Sequence, residues 1–204
     1  GKPAHASRPQ DGVNAFEAMA AMSTGLDRYK RELASLQRRY RELNGTERNP
    51  TLNVGGIFAG GAGDKINTVP ARASFSLDRR IVPGEQIAAV EIELRTALAS
   101  LADDQKPASC TIGAPLRIEP CTVGVQHPLC QSFAGAVRSV RRRTAGFRIT
   151  TGFTDLHYFV VDGGLPGIGY GVKGENAHGN DERVRIRDVA LTARTYAEFM
   201  LRGI

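Results

Sequence analysis

Apolar residues recur at alternating spacings of three and four in the first part of the chain, which is typical of an amphipathic helix. The pattern predicts a helix from Val13 to about Leu43, ended by Asn44 and Gly45 as a C-cap. The expected core face carries Leu26, Tyr29, Leu33, Leu36, Tyr40 and Leu43. The charged residues between these positions are expected to face water.

Alternating apolar and polar residues then predict strands at Thr51 to Ala59 and at Val69 to Val82. In the second strand Ala71, Ala73, Phe75 and Leu77 are expected to be buried, and the even-numbered residues between them exposed.

A second helix is predicted after Pro83, Gly84 and Glu85, and Ser109 to Ile118 is a further extended segment. The core side of that helix is expected to carry Ile87, Val90, Leu94, Leu98 and Leu101. The order of elements predicts an α+β layer, with two helices on an antiparallel four-stranded-type sheet.

The pattern changes after His127 and Pro128 to alternating helices and short strands. Helices are predicted from Leu129 to Val140, Thr154 to Val161 and Ile186 to Leu201, and strands from Phe147 to Thr150 and Pro166 to Tyr170. The last helix is expected to bury Val189, Ala193, Tyr196 and Met200. This alternation indicates parallel α/β structure, but two strands cannot bury their own faces, so the segment is predicted to be part of a larger domain.

Composition is that of an ordinary soluble globular protein: 204 residues, 41% hydrophobic and 24% charged. No apolar run approaches the ~18 residues of a membrane span, and the N-terminus lacks the apolar stretch of a signal peptide. The three cysteines, Cys110, Cys121 and Cys130, include no C-x-x-C pair. We therefore expect reduced thiols, a cytoplasmic location and no membrane partner.

The net charge of +6 raises nucleic-acid binding as one interpretation. Solvated helix faces are the simpler interpretation, because aromatic residues are only 6% of the chain and no nucleic-acid motif occurs. We therefore expect no nucleic-acid partner, although a basic surface would favour anionic substrates by steering.

Several polar signatures carry candidate chemistry. The first signature is Gly1-Lys2-Pro3-Ala4-His5-Ala6, followed by Pro9, Gly12 and Asn14-Ala15. The others are, in chain order, Ile66-Asn67-Thr68-Val69-Pro70, Asp78-Arg79-Arg80, Gly152-Phe153-Thr154-Asp155 and Ala177-His178-Gly179-Asn180-Asp181-Glu182. An imidazole on a polar loop, as at His178, is suited to bind a metal ion or to stabilise an anion.

Together these signatures resemble the family of co-catalytic zinc aminoacylases, acetylornithine deacetylases, succinyl-diaminopimelate desuccinylases and glutamate carboxypeptidases. The family pattern G-K-x-x-H-(A/S), G-x-N-A, N-x-x-P, D-x-R, G-x-(T/S)-D and H-x-x-(D/E)-E matches in order and spacing. The resemblance implies a lid and dimerisation domain at residues 1–118. It also implies the C-terminal half of a catalytic domain at residues 119–204, with the N-terminal half absent.

The resemblance implies roles for three lid residues. His5 would stabilise the oxyanion in the neighbouring subunit's site, Arg80 would clamp a substrate carboxylate, and Asn67 would hydrogen-bond the substrate. Structural alternatives remain: His5 as a loop residue that caps the next helix, Arg80 in a salt bridge with Asp78 or Glu85, and Asn67 as a turn residue.

In the second part, Gly152 and Thr154 would contact the substrate backbone, with Phe153 replacing a smaller family residue. His178 would be the last ligand of a site for two zinc ions. Because the other ligands and the general base precede the lid in the family, this chain is not expected to hold zinc tightly. His127 and His157 match no ligand position and are interpreted as surface or packing residues.

The implied function is metal-dependent hydrolysis of amide bonds in N-acyl amino acids or small peptides, in a homodimer joined through the lid. This chain would be an inactive fragment of such an enzyme. The alternative is a stand-alone dimerisation or regulatory module without catalysis.

Overall fold

A computed structural model describes residues 1–35, 39–42, 44–61, 63–113, 116–150 and 152–202, and the chain divides into two compact units. The first unit consists of Gly1–Arg41 and Gly45–Ile118, and the second of Glu42–Asn44 and Glu119–Ile204. Within the described ranges, no helix is both long and apolar enough to cross a membrane.

Helix α1 spans Ala15–Leu33 and begins close to the predicted position. Asn14 caps it, because its side-chain oxygen accepts hydrogen bonds from the N–H groups of Phe16 (3.0 Å) and Glu17 (3.2 Å). The predicted core face is confirmed within the helix, where Met22, Leu26, Tyr29 and Leu33 are buried. The cap thus fixes the start of the helix, and the apolar stripe holds it against the rest of the unit.

The predicted C-terminal part of this helix is wrong. Tyr40–Arg41 form strand β1, which pairs antiparallel with β2 at Glu47–Arg48. Gly45 has a φ of +84° and lies in the connection between them. Asn-Gly is a strong hairpin signal because both residues tolerate positive φ, and this use of the pair prevails over helix capping. Leu36 and Leu43 lie outside the described residues.

Strands β3, Thr51–Gly60, and β4, Ala73–Arg80, form an antiparallel pair. The prediction for β3 is confirmed, whereas β4 is shorter than the predicted Val69 to Val82. The pairing is interrupted by a bulge between Val54 and Phe58, where Gly55 and Gly56 have φ values of +115° and +92°. The Ser76 hydroxyl crosses the bulge: it accepts from Ile57 N–H at 3.1 Å and donates to the Gly55 carbonyl. One side chain therefore satisfies backbone groups that the ladder leaves free.

Helix α2, Ile87–Asp103, completes the core of the first unit. The buried cluster joins α1, β3 and α2, and it consists of Met22, Leu26, Tyr29, Leu33, Leu52 and Leu98. Phe75, Leu77, Leu94 and Leu101 pack against its edge. The two helices approach closely at Gly25, where an added Cβ would lie 2.4 Å from a Leu101 methyl carbon. A larger residue at this position would therefore force the Leu101 side chain to shift.

The predicted four-stranded sheet is replaced by two separate two-stranded sheets in the described part of the chain. The described residues of Ser109 to Ile118 form no strand, and residues 109–113 are all exposed, so they lack the alternating burial of a sheet with one core face. Arg117 instead holds this segment to α2 by donating to Glu91 at 2.6 and 3.0 Å. Arg117, with Arg95, lowers the pKa of Glu91 to about 2.

The second unit is built on two helices, α3 at Pro128–Arg141 and α4 at Ile186–Arg202, both as predicted. The predicted helix from Thr154 to Val161 is a short helical segment that ends in a π-helical turn at Tyr158–Asp162. The strands predicted at 147–150 and 166–170 are absent, because a strand forms only with a neighbour that supplies its hydrogen bonds.

The predicted buried face of α4 is wrong. Met200 is 73% exposed and Val189 is 47% exposed, whereas Thr195 is completely buried. Arg141 of α3 bonds Asp188 and Thr192 of α4, so the contact between the helices follows positions 188, 192 and 195. The packed face carries polar residues at these positions, so apolar spacing alone does not identify it.

Truncation of a core leucine in α2 is expected to weaken the first unit. Leu98→Ala should lower the free energy of unfolding by about 2–5 kcal/mol, because it removes buried methyl groups and leaves a cavity. Ile92→Ala in the same helix is the matched control, since Ile92 is 67% exposed and should cost less than about 0.5 kcal/mol. Urea unfolding measures both. Equal losses would contradict the assigned core.

Candidate functional site

The site begins with an antiparallel contact between the N-terminal segment and the residues before β4. Val69 N–H donates to the Ala4 carbonyl at 2.8 Å, and Ala6 N–H donates to the Asn67 carbonyl at 2.9 Å. His5 lies between these bonds and pairs with Thr68. The contact therefore brings His5 and Asn67, which are distant in sequence, to the same edge of the first unit.

Two other residues of the N-terminal signature have structural roles. Gly12 allows close packing, since a Cβ there would lie 2.8 Å from the Lys2 carbonyl oxygen and 2.9 Å from the Ala4 methyl group. Asn14 caps α1, and its amide also donates to Glu17 at 2.9 Å. These positions hold the loop around His5 in shape without chemistry of their own.

The His5 imidazole is exposed, and a turn fixes its surroundings. Arg8 N–H donates to the His5 carbonyl at 2.8 Å, closing the turn. The turn places Ser7 beside the ring: the Ser7 hydroxyl lies 2.8 Å from His5 Nδ1, and the Ser7 N–H donates to Nδ1 at 3.2 Å. The alternative that His5 caps α1 is wrong, because Asn14 is the cap.

Asn67 and Arg80 lie at opposite ends of the β3–β4 pair. Asn67 is exposed in the connection between Gly60 and Ala73, whereas Arg80 is opposite Thr51 at the other end. The ends of β4 are roughly 23 Å apart at ~3.3 Å per residue. A small substrate in one protomer therefore cannot contact both residues.

Two consecutive arginines at the end of β4 have different environments. Arg80 is exposed and donates to Asp78 at 2.6 Å, which is one of its expected structural partners. The Arg79 side chain is 5% exposed and donates to Glu85 at 2.6 Å and to Tyr29 Oη at 3.4 Å. Arg79 was not predicted to be a structural residue, although its odd number places it on the buried face of the strand.

Charge in the Arg79 network is compensated within the protein. Burial disfavours the charged guanidinium, but the hydrogen bonds to Glu85 and Tyr29 outweigh burial and raise the pKa of Arg79. Burial also raises the pKa of Tyr29, against the effect of Arg79. Glu85 further accepts from the N–H of the buried Val82 at 2.9 Å. Arg79 is therefore a structural residue, and Arg80 is the arginine available to a ligand.

Gly152 and Thr154 lie on an exposed loop of the second unit. Thr154 begins the turn into the next helix, as its carbonyl accepts from His157 N–H at 3.1 Å. A Cβ added to Gly152 would meet only Thr150 Oγ1, at 3.7 Å, so the fold does not require glycine there. Phe153 packs against His157 and Tyr158, with ring centroids 6.0 and 6.1 Å away. The loop thus presents a small residue beside an aromatic group.

His178 lies in an exposed loop whose ends are joined by backbone hydrogen bonds between Glu175 and Arg183 at 3.0 and 3.2 Å. Its φ of +63° is unusual for a residue with a side chain, and Asn176 and Asp181 nearby also have positive φ, +58° and +59°. Backbone strain of this kind is frequent at functional sites.

The residues of this chain do not fit a complete zinc site. Across the ranges given above, no group of three or more His, Cys, Asp or Glu side chains is arranged to hold a metal ion. His178 alone offers one of the three or four ligands that zinc takes. Of the other histidines, His127 caps α3 by accepting from Leu129 N–H, and His157 contacts the Glu119 carbonyl oxygen.

The first unit, with two helices against an antiparallel strand pair, is an α+β module. The chain belongs to the M20 peptidase dimerisation domain family, because residues 1–106, more than half of its length, match the family model described as peptidase dimerisation domain. No curated protein sequence gives a significant match.

Solved structures of M20-type peptidases share the fold. An M20 family metallo-carboxypeptidase of Sulfolobus solfataricus has a TM-score of 0.65 at 20% identity, covering 98% of this chain and 55% of that one. A tripeptidase of Staphylococcus aureus has a TM-score of 0.67 at 20% identity, covering 97% of this chain and 48% of that one. The aminopeptidase PepT of Bacillus cereus has a TM-score of 0.61 at 19% identity, again covering 97% of this chain and 48% of that one. The chain spans about half the length of these structures.

Replacing each of the two arginines should separate their roles. Arg79→Ala should lower the free energy of unfolding by about 3–5 kcal/mol, because it leaves the Glu85 carboxylate buried without its partner. Arg80→Ala, the matched control, should change it by less than about 1 kcal/mol, since an exposed ion pair contributes little. Thermal or urea unfolding gives both values. If Arg80→Ala were the more destabilising change, the structural role would belong to Arg80.

Proposed function

We propose that this chain is the lid and the C-terminal catalytic part of a hydrolase that cleaves amide bonds in N-acyl amino acids or small peptides. In this proposal residues 1–118 are the lid and dimerisation domain, and residues 119–204 belong to the catalytic domain. The observation that carries it is the contact that joins His5 and Asn67 at one exposed edge. The backbone of this edge thereby carries two residues whose side chains can bond a carbonyl group, although they are distant in sequence.

Each lid residue would have a separate task in such a reaction. His5 would donate a hydrogen bond to the oxygen that becomes negative when the amide carbonyl is attacked. Asn67 would hydrogen-bond the same part of the substrate. Arg80 would bind the substrate carboxylate with two parallel N–H donors, a geometry that only a guanidinium offers. Arg80 would exchange its exposed bond to Asp78 for the substrate.

The separation of Arg80 from Asn67 supports a site shared between subunits. In one protomer they lie at opposite ends of the strand pair, as described above. A symmetric dimer can direct the His5 end of one lid to the substrate held by Arg80 of the other. The homodimer would then be a requirement of the chemistry as well as of stability.

In the second unit, Gly152 and Thr154 would contact the substrate backbone, where the space around Gly152 leaves room for a close approach. His178 would supply one zinc ligand from its strained loop. The remaining ligands and the general base would come from residues outside this chain. The 204 residues would therefore bind and orient the substrate without activating the attacking water.

The outer edge of β3 would provide the dimer contact, together with α1. In the described residues β3 pairs only with β4, which leaves its other edge open to a second copy. Ile57 is 69% exposed and Phe58 is 63% exposed on this strand, and Phe16 of α1 is also exposed. Large apolar side chains exposed together are typical of an interface.

Arg80→Lys in the complete enzyme tests the proposed hydrolase. Lysine keeps the charge but loses the planar pair of donors, so kcat/KM for an N-acyl amino acid should fall about 30- to 1000-fold, or ~2–4 kcal/mol. A substrate amide without the carboxylate should lose much less. Initial rates with the paired acid and amide substrates provide the measurement.

The control for this experiment is Arg72→Lys, an exposed arginine just before β4 that has no role in the proposal. Its kcat/KM for both substrates should stay unchanged. Equal losses for acid and amide in the Arg80 variant would show that Arg80 does not bind the substrate anion.

Dimerisation of this chain is expected to depend on the exposed apolar residues of β3. Phe58→Asp should raise the dimer dissociation constant at least about tenfold, because it places a charge in an apolar contact. Ile92→Asp, at an exposed position on α2, should leave it unchanged. Sedimentation at tens of micromolar measures both, and a monomeric parent chain would refute the shared site.

A stand-alone dimerisation or regulatory module is the second candidate. It is favoured by the family match, which covers the dimerisation domain at residues 1–106 and not the remainder. The intact mass of the protein from its natural source, compared with the open reading frame, distinguishes the two. A longer protein with an H-x-D motif before the lid would favour the hydrolase.

A further inference from the structure

Hydrogen bonds identify which nitrogen carries the proton in three of the histidines. A neutral imidazole has one N–H donor and one acceptor nitrogen, and its neighbours select between the two forms. A backbone N–H can only donate, so the nitrogen facing it must be the acceptor. A carbonyl oxygen can only accept, so the nitrogen facing it must carry the proton.

At His5 both hydrogen-bonding groups of Ser7 converge on Nδ1. The Ser7 N–H donates to it at 3.2 Å, and the hydroxyl lies 2.8 Å away. Because the N–H requires an acceptor, Nδ1 is unprotonated, the hydroxyl also donates, and the ring proton is on Nε2. The turn closed by Arg8 N–H and the His5 carbonyl keeps Ser7 in place.

We propose that Ser7 is a positioning residue that holds His5 in the Nε2–H form and fixes the direction of that N–H. The effect on catalysis rests on the proposed function, whereas the position of the ring proton does not. In the opposite form, Nε2 would turn a lone pair towards a developing oxyanion and repel it. Ser7 thus keeps the exposed imidazole ready to donate before the substrate arrives.

Two other histidines, His127 and His157, serve as references for the Nε2–H and Nδ1–H forms of the ring. His127 Nδ1 accepts from Leu129 N–H at 3.2 Å, which is the His5 arrangement without the hydroxyl. His157 Nδ1 lies 3.1 Å from the Glu119 carbonyl oxygen and must therefore donate. His5 and His127 are accordingly assigned the Nε2–H form, and His157 the Nδ1–H form.

Nitrogen NMR of the ring tests the assignment in the 204-residue chain. Two-bond nitrogen–proton correlation spectra place protonated and unprotonated ring nitrogens in separate ranges. The spectra are recorded at about pH 8.5, above the usual imidazole pKa of about 6.5. His5→Gln identifies the His5 signals by their loss. His5 should show an unprotonated Nδ1, as His127 does, whereas His157 should show the reverse.

Ser7→Ala removes the hydroxyl and keeps the backbone N–H, so it gives His5 the same single bond as His127. The shift difference between the two His5 nitrogens should differ from that of His127 in the parent chain and move to the His127 value in the variant. Ser7→Thr, which retains a hydroxyl, should restore the parent value. A protonated Nδ1 in the parent, or an unchanged difference in Ser7→Ala, would overturn the proposal.

Kinetics of the complete hydrolase test whether Ser7 helps His5 to stabilise the oxyanion. Ser7→Ala should lower kcat about three- to tenfold, the value of one neutral hydrogen bond, with little change in KM, because the oxyanion exists only in the transition state. Ser7→Thr should recover most of this loss. An unchanged kcat in Ser7→Ala would overturn the catalytic part of the proposal.

His5→Ala separates the two possible failures. If His5→Ala leaves kcat unchanged, the proposed function of His5 is wrong, whatever the spectra show. If His5→Ala lowers kcat but Ser7→Ala changes neither the spectra nor the rate, the proposed function stands and the inference about Ser7 is wrong.

Discussion

The antiparallel contact between residues 1–6 and 67–71 is the constraint on which the first unit depends. It is made of backbone hydrogen bonds, from Gly1 to Ala71 at one end and from Ala6 to Asn67 at the other. The same segment leads through Gly12 into the cap of α1, and its partner leads into β4. Loss of this contact would therefore misplace a helix, a strand and the two candidate site residues together, so the stability of this unit and the geometry of the candidate site depend on the same bonds.

In the proposed hydrolase, the end of β4 serves structure and substrate binding side by side. Successive side chains point to opposite faces, so Arg79 enters the core network with Glu85 and Tyr29 while Arg80 stays at the surface. A buried guanidinium with satisfied donors cannot be released to a ligand without a large cost. An exposed one that bonds only Asp78 can change partners at little cost. The alternation of the strand thereby divides two identical residue types between two tasks.

Hydrophobic periodicity predicted the elements that show it over many residues. Apolar spacing predicted α1 from Val13, and the alternation around Phe75 predicted the faces of β4, whereas the cap at Asn14 was not recognised. Features that depend on a partner elsewhere in the chain were not predictable in this way. Asn44-Gly45 is a hairpin signal, but the apolar spacing before it favoured a helix end, and the pairing of β1 with β2 overturns that prediction. The buried face of α4 likewise carries polar partners of Arg141 of α3, which apolar spacing does not identify, and the role of Ser7 follows from a turn that the residue types alone do not specify.

The bulge in β3 has a consequence for how this lid tolerates changes in length. Between the pairs Val54–Leu77 and Phe58–Phe75, β3 advances by four residues while β4 advances by two. The excess is even, so the inward and outward sides of β3 are the same before and after the bulge. Deleting both Gly55 and Gly56 would leave a regular ladder with its faces unchanged. Deleting one of them would leave a single extra residue opposite β4, which a one-residue bulge can absorb.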